Sequence, residues 1–166
     1  MIELVSIGEE MPDSTLYINP RNLQPEIIRL IDYARRARDS AMPRFSHFSV
    51  GAALETNEGR FFLGSNEEAS NGDTLCAERA ALSAARQMVT PPKLVVRRIA
   101  IVGGPEEADT GSKILTPCGR CRQFLFDYEQ RQGSQPIQVV CTSLSGPVRI
   151  FNQVNHVLLP TSFSER

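Results

Sequence analysis

The chain has 166 residues, 41% of them apolar and 22% charged, with no Trp and a formal net charge of −1. That length suits one domain with a real core, and the composition holds no biased tract of the kind that stays disordered. Near-neutral charge leaves no basic footprint for a nucleic-acid backbone, which argues against a polymeric substrate, and no apolar run is long enough to span a membrane.

Residues 1–24 carry few periodic signals and close on the Pro-bracketed stretch NPRNLQP. They are expected to form an extension of unknown role ahead of a single catalytic domain over 25–166. The opening MIELVSIGEEMPD has acidic residues where a secretory leader has a basic flank and an apolar run, so a cytoplasmic protein is expected. PEIIRLIDYARRARDSA then places Pro25 in a first turn and spaces Ile27, Leu30, Ile31, Ala34 and Ala41 on one helical face. FSVGAALE, the turn TNEGR and FFLGSN predict a hairpin. TLCAERAALSAARQM is Ala-rich and helical, VVRRIAIVGG is a strand, and GPEEADTGSKILTP is a polar loop. CGRCRQFLFDYEQ predicts a helix that starts at its cysteines, and IQVVCTSL and VRIF predict the last two strands. The order α-β-β-α-β-α-β-β implies an α/β fold, a three-layer α-β-α sandwich around a mixed five-stranded sheet.

Four cysteines in a chain without an export signal point to metal or catalysis sooner than to a disulfide frame. Cys76, Cys118 and Cys121 fall at predicted helix starts, where the dipole favours thiolate over thiol. A Cys-x-x-Cys pair places two sulfurs within one turn, suited to a tetrahedral ion, and thiolates select zinc over magnesium or calcium. Three protein ligands leave a position for water, the arrangement that separates a catalytic zinc from a closed structural one, and such a zinc brings the pKa of that water to ~7. Glu78, two residues past Cys76, is placed to move the water's proton. Three thiolates also weaken the metal's Lewis acidity. Arg79, with Arg122 as a second donor, is expected to restore it by hydrogen-bonding the sulfurs. The plainer readings are that Arg79 and Arg122 form salt bridges, and that Cys141 completes a closed structural zinc site in a non-enzymatic domain. Cys141 sits mid-strand, where a buried Cys acts as a small apolar residue.

At these residues the chain resembles the zinc-dependent cytidine deaminase family. That family carries Cys/His-Ala-Glu and then Pro-Cys-x-x-Cys, here CAE and PCGRC. Cys76 in place of His resembles the branch of small homotetrameric nucleoside deaminases. FSHFSVGAALETNEGR is similar to the family's substrate-side hairpin, GSNEEAS to its ribose-binding strand, and LLPTSF to its C-terminal segment. TPCGRCRQFLFDY also resembles blasticidin S deaminase, which acts on a modified cytosine nucleoside.

The resemblance implies Zn2+ on Cys76, Cys118 and Cys121, a proton shuttle at Glu78, and hydrolysis of cytidine or deoxycytidine to the uracil nucleoside and ammonia. It further implies that the Ala77 backbone holds the base carbonyl, the Thr116 carbonyl senses the amino group, and Phe48 flanks the base. Phe163 would reach a neighbouring subunit's site in a homotetramer. The chain departs from the pattern between Gly64 and Cys76, where it is one residue shorter. Either Asn66 and Glu67, or Asn66 and Glu68, then match the sugar-binding pair. Alternation along a strand favours Asn66 with Glu68 unless a bulge re-aims Glu67.

Overall fold

The computed structural model describes residues 14–17, 19–90, 93–105, 115–155 and 157–159. Its elements run β1 (Ser14–Tyr17), α1 (Pro25–Arg38), β2 (Phe48–Thr56), β3 (Phe61–Ser65), β4 (Glu67–Glu68), β5 (Thr74–Leu75), α2 (Ala77–Met88), β6 (Val96–Pro105), α3 (Gly119–Arg131), β7 (Gln138–Thr142) and β8 (Val148–Phe151). Every helix and strand read from the sequence is present, with shifted ends. Helix α1 stops at Arg38, so Ala41 lies beyond it and Ala37 joins Ile27, Leu30, Ile31 and Ala34 on the buried face. Thr74 and Leu75, expected inside a helix, are strand β5, and α2 starts only at Ala77.

The main sheet has six strands in the order β1-β8-β7-β6-β2-β3, one more than expected. The sixth is β1, from the segment read as an extension, which pairs antiparallel with β8 from Ser14↔Phe151 to Tyr17↔Val148. Its pairing satisfies a row of backbone groups that β8 would otherwise present as an open edge. β6 and β7 run parallel and are linked through α3, as a parallel pair requires a crossover. The other ladders of this sheet are antiparallel, so the sheet is mixed.

Alternation divides the core into two layers. Ala53, Ala100, Val102, Val140 and Ile150 face α1. Ala52, Leu54, Ile99, Ile101, Val139 and Phe151 face Ala81, Leu82 and Ala85 of α2 and Leu125 and Phe126 of α3. Glycine sets the spacing on both faces: a Cβ on Gly51 would overlap the Ala34 carbonyl of α1, and one on Gly64 the Ala77 carbonyl of α2. The result is the α-β-α sandwich, with α1 on one side and α2 and α3 together on the other.

Candidate active site

Two helix starts meet at the end of β6. Phe48 at the head of β2 pairs with Pro105 at the tail of β6, which fixes one wall. Cys76 is the N-cap of α2 and Cys118 the N-cap of α3, and neither side chain caps its helix. Cys121 lies in the first turn of α3, fully buried. Both helices therefore turn their first-turn N–H groups and positive dipole ends toward the sulfurs.

The three sulfurs lie within 4.8 Å of one another, and Cys76 Sγ and Cys118 Sγ are 3.8 Å apart. Zinc–sulfur bonds of ~2.3 Å at tetrahedral angles require sulfurs ~3.8 Å apart, so the cluster fits zinc in both donor type and spacing. Hydrogen bonding from Cys121 brings the Cys76 thiol down to about 6 against the cost of burial, helped by Cys118, Arg79 and Arg120. Cys121, the partner in that bond, is pushed up instead. Cys141 lies in β7, wholly buried among core residues, and is not part of the cluster. A fourth cysteine closing the site is thereby excluded.

Glu78, the second residue of α2, is buried to 5% exposure. Burial pushes its carboxyl up to about 7, and the charge at Cys76 adds to the rise. A cavity of about 290 Å³ opens in front of it, the size of a small ligand's pocket. Phe48, Val50 and Leu115 give it an apolar wall, and Ala77, Thr116 and Cys118 surround its inner end. Asn66, Glu68, Ser46 and Thr74 supply polar groups.

Alternation holds past the end of β3. Asn66 and Glu68 line the cavity, whereas Glu67 is exposed and pairs with Leu75 on β5. Asn66 is turned to the backbone: Val50 N donates to its Oδ1 at 2.8 Å, and its Nδ2 donates to the Phe48 carbonyl at 2.9 Å. Glu68 Oε2 accepts from the amides of Phe45 at 2.8 Å and Ser46 at 3.0 Å. Together with the Ser46 hydroxyl, they hold its carboxyl below the usual range.

The sequence makes Arg79 and Arg122 candidate donors to the sulfurs; here each makes other contacts. Arg79 stacks its guanidinium 5.1 Å over the Phe124 ring, and its charge helps to lower the Cys76 pKa. Arg122 donates from Nε to the Pro117 carbonyl at 2.7 Å, and from its other nitrogens to Thr116 Oγ1 and the Leu158 carbonyl. Two carbonyls and one hydroxyl thus occupy its fork. Phe163 lies outside the described residues.

Gly103, Val50, Leu115, Ser46 and Thr74 escaped the sequence reading. Gly103 had a signal: a glycine inside a strand marks close approach. A Cβ there would come within 2.6 Å of Leu115 Cδ2 and 3.3 Å of Phe48 Cε1, so the missing side chain makes room for the cavity's apolar wall.

Residues 25–133 match the family model described as the cytidine and deoxycytidylate deaminase zinc-binding region. A probable cytidine deaminase of Dictyostelium discoideum is 35% identical over 144 residues, 86% of each chain. A cytidine deaminase of Sporosarcina psychrophila is 33% identical over 141 residues, 84% of this chain and 93% of its own. Among solved structures, the cytidine deaminase of Burkholderia pseudomallei superposes with a TM-score of 0.66 at 37% identity, over 85% of this chain and 100% of that one. With the cysteine cluster and the buried carboxyl inside the matched region, the chain belongs to the cytidine and deoxycytidylate deaminase family, by its zinc-binding region.

Proposed function

We propose that this protein is a hydrolase that converts a free cytosine nucleoside, cytidine or deoxycytidine, to the uracil nucleoside and ammonia. The observation that carries the reading is Glu78: a buried carboxyl at about 7, beside three clustered thiols, at the inner end of a cavity with an aromatic wall. A pKa near the working pH lets one group both accept and return a proton. Zinc held by Cys76, Cys118 and Cys121 supplies Lewis acidity, bringing the pKa of a water to ~7. Glu78 takes a proton from the attacking water and delivers it to N3 as oxygen bonds to C4. It then carries the remaining hydroxyl proton to the 4-amino nitrogen, the C–N bond breaks, ammonia leaves, and C4 becomes a carbonyl.

In the same proposal the Ala77 N–H holds the base carbonyl, the Thr116 carbonyl orients the amino group, and Phe48 packs against the base. Glu68 takes sugar hydroxyls, with Asn66 shaping the wall behind it. The catalytic domain spans 25–166, with residues 1–24 as an extension whose β1 adds an edge strand to the same sheet. It works as a homotetramer with Phe163 entering a neighbour's site. Phe45 at 60% exposed, Leu75 at 40% and Phe124 at 41% support a further protein surface against this region. Three thiols kept free for metal support a reducing compartment, the cytoplasm. Among the described residues no helix is long and apolar enough to cross a membrane.

A second reading, the same chemistry on a modified nucleoside such as blasticidin S or an N4-substituted cytidine, rests on one observation. Each end of the Asn66 amide is already held by a backbone bond, which leaves it one N–H and one lone pair, so the Glu68 carboxylate is the stronger acceptor offered at the sugar end. The deciding experiment is ultraviolet loss of the cytosine chromophore by zinc-loaded protein, across cytidine, deoxycytidine and the modified nucleosides. Rapid loss on cytidine, abolished by Glu78→Ala with zinc retained, is the expected result. Unimpaired turnover by Glu78→Ala would overturn the role given to that residue.

A further inference from the structure

Helix α3 carries Arg122 and Glu129 seven residues apart, two turns, and hence on one face. Both act on backbone. Glu129, 2% exposed, accepts on Oε1 from the amides of Ile137 and Val154, each at 2.8 Å, and on Oε2 from Asn155 at 3.0 Å. Arg122 Nη1 donates to the Leu158 carbonyl at 3.4 Å. The turn between, closed by Leu158 N to the Val154 carbonyl at 3.0 Å, is therefore strapped along α3 at both ends. The rest of the Arg122 fork reaches the active site: Nε to the Pro117 carbonyl at 2.7 Å and Nη2 to Thr116 Oγ1 at 3.2 Å.

We infer that Arg122 is a positioning residue for the deamination, its guanidinium locking the Thr116–Pro117–Cys118 segment in register with the C-terminal turn. Thr116 and Cys118 both line the cavity, and the segment has no helix or strand geometry of its own before α3 begins. A planar fork reaches three acceptors at fixed angles, which the single ammonium of Lys cannot reproduce. The placement of the base-sensing carbonyl and of one zinc-binding sulfur thus depends on a turn some forty residues further along the chain.

The activity readout rests on the function proposed above, so a second readout stands apart from it. Arg122→Gln and Arg122→Lys are compared with wild type in three measurements: kcat and KM on cytidine with zinc, thermal midpoint, and the thiolate-to-metal absorption of the Co2+-substituted protein. The expected result for Gln is a loss of about 10- to 100-fold in kcat/KM, carried mainly by kcat, with a shifted cobalt spectrum as Cys118 moves. Lys should recover part of both. If either variant folds with wild-type kcat and an unchanged cobalt spectrum and loses only thermal stability, Arg122 is a structural strap and the inference fails. Should Gln not fold, Lys carries the same readouts. Should wild type prove inert on every nucleoside, the proposed function falls, while the cobalt spectrum still decides on Arg122.

Discussion

Glu78 is held in a state that water would not allow. In the zinc-free protein its carboxyl is raised from 4.5 to about 7, mainly by burial. A carboxyl that binds its proton more tightly when folded favours the folded state at low pH and loses that advantage as pH rises from about 4.5 through about 7. The loss is on the order of 3 kcal/mol once the group is ionised. Zinc-free Glu78→Gln, which cannot ionise, should therefore melt close to wild type at pH 5 and clearly above it at pH 8. Thermal midpoints of the two zinc-free proteins across that range check the sign, and a gap that stays constant with pH would refute the burial argument. The identity of Glu78 was legible from its spacing to Cys76. Its proton affinity was not, because it comes from the sheet and α3 closing over it. Two of the three acceptors of Arg122 were hidden for a related reason: the Pro117 and Leu158 carbonyls leave no mark in a sequence, whereas a neighbouring Cys draws attention to itself.

At the level of elements, the two helix layers meet the sheet through glycines, and only one layer carries the chemistry. A Cβ at Gly64 would overlap the Ala77 carbonyl and the Ala81 nitrogen, in the first turns of α2 beside Cys76 and Glu78. A Cβ at Gly51 would overlap the Ala34 carbonyl and the Arg38 nitrogen of α1, on the far face. Overpacking of this kind costs about 1–3 kcal/mol or more, so Gly64→Ala and Gly51→Ala should both lower the thermal midpoint. Only Gly64→Ala should also weaken zinc, because it displaces the helix start that holds Cys76. Zinc affinity measured by chelator competition on folded protein separates the two, and equal affinity in both variants would mean that α2 can shift as a body without moving its sulfur. The long elements were readable from local signals, α1 from its apolar stripe and the β2–β3 hairpin from its turn. β1 was not: STLY is short, its four residues are all only half-buried, and its partner β8 lies at the other end of the chain. The β4–β5 ladder joins two residues to two, below the length at which alternation can be recognised. Thr74 and Leu75 therefore read as the start of the helix that follows them.

Across the whole molecule, charge selects the substrate. The net charge is −1, and the cavity is lined by Glu68 and Glu78 but, among the described residues, by no Lys or Arg. Arg120, near enough to act on Cys76, has its charge met by Asp73 at 3.8 Å. Glu68 is kept ionised by the Ser46 hydroxyl and by the Ser46 and Phe45 amides, with Glu67 exposed beside it. A 5′-phosphate brought to the sugar end would meet the Glu68 carboxylate with no cation among the described lining residues to answer it, and like charges brought together at a binding site oppose association. Cytidine should therefore exceed cytidine 5′-monophosphate in kcat/KM by roughly tenfold or more at low salt. Added salt should narrow that gap by screening, while leaving cytidine itself nearly unaffected. Glu68→Gln should narrow it from both sides, by weakening the grip on the sugar and by removing the repulsion. An oligodeoxycytidine should show no salt-sensitive binding, since the net charge of −1 and a cavity whose described lining has no Lys or Arg give its phosphates little to displace counterions with. Steady-state rates on the nucleoside and its monophosphate over a salt series test the argument, and equal turnover of the two at low salt would show that a cation outside this lining meets the phosphate.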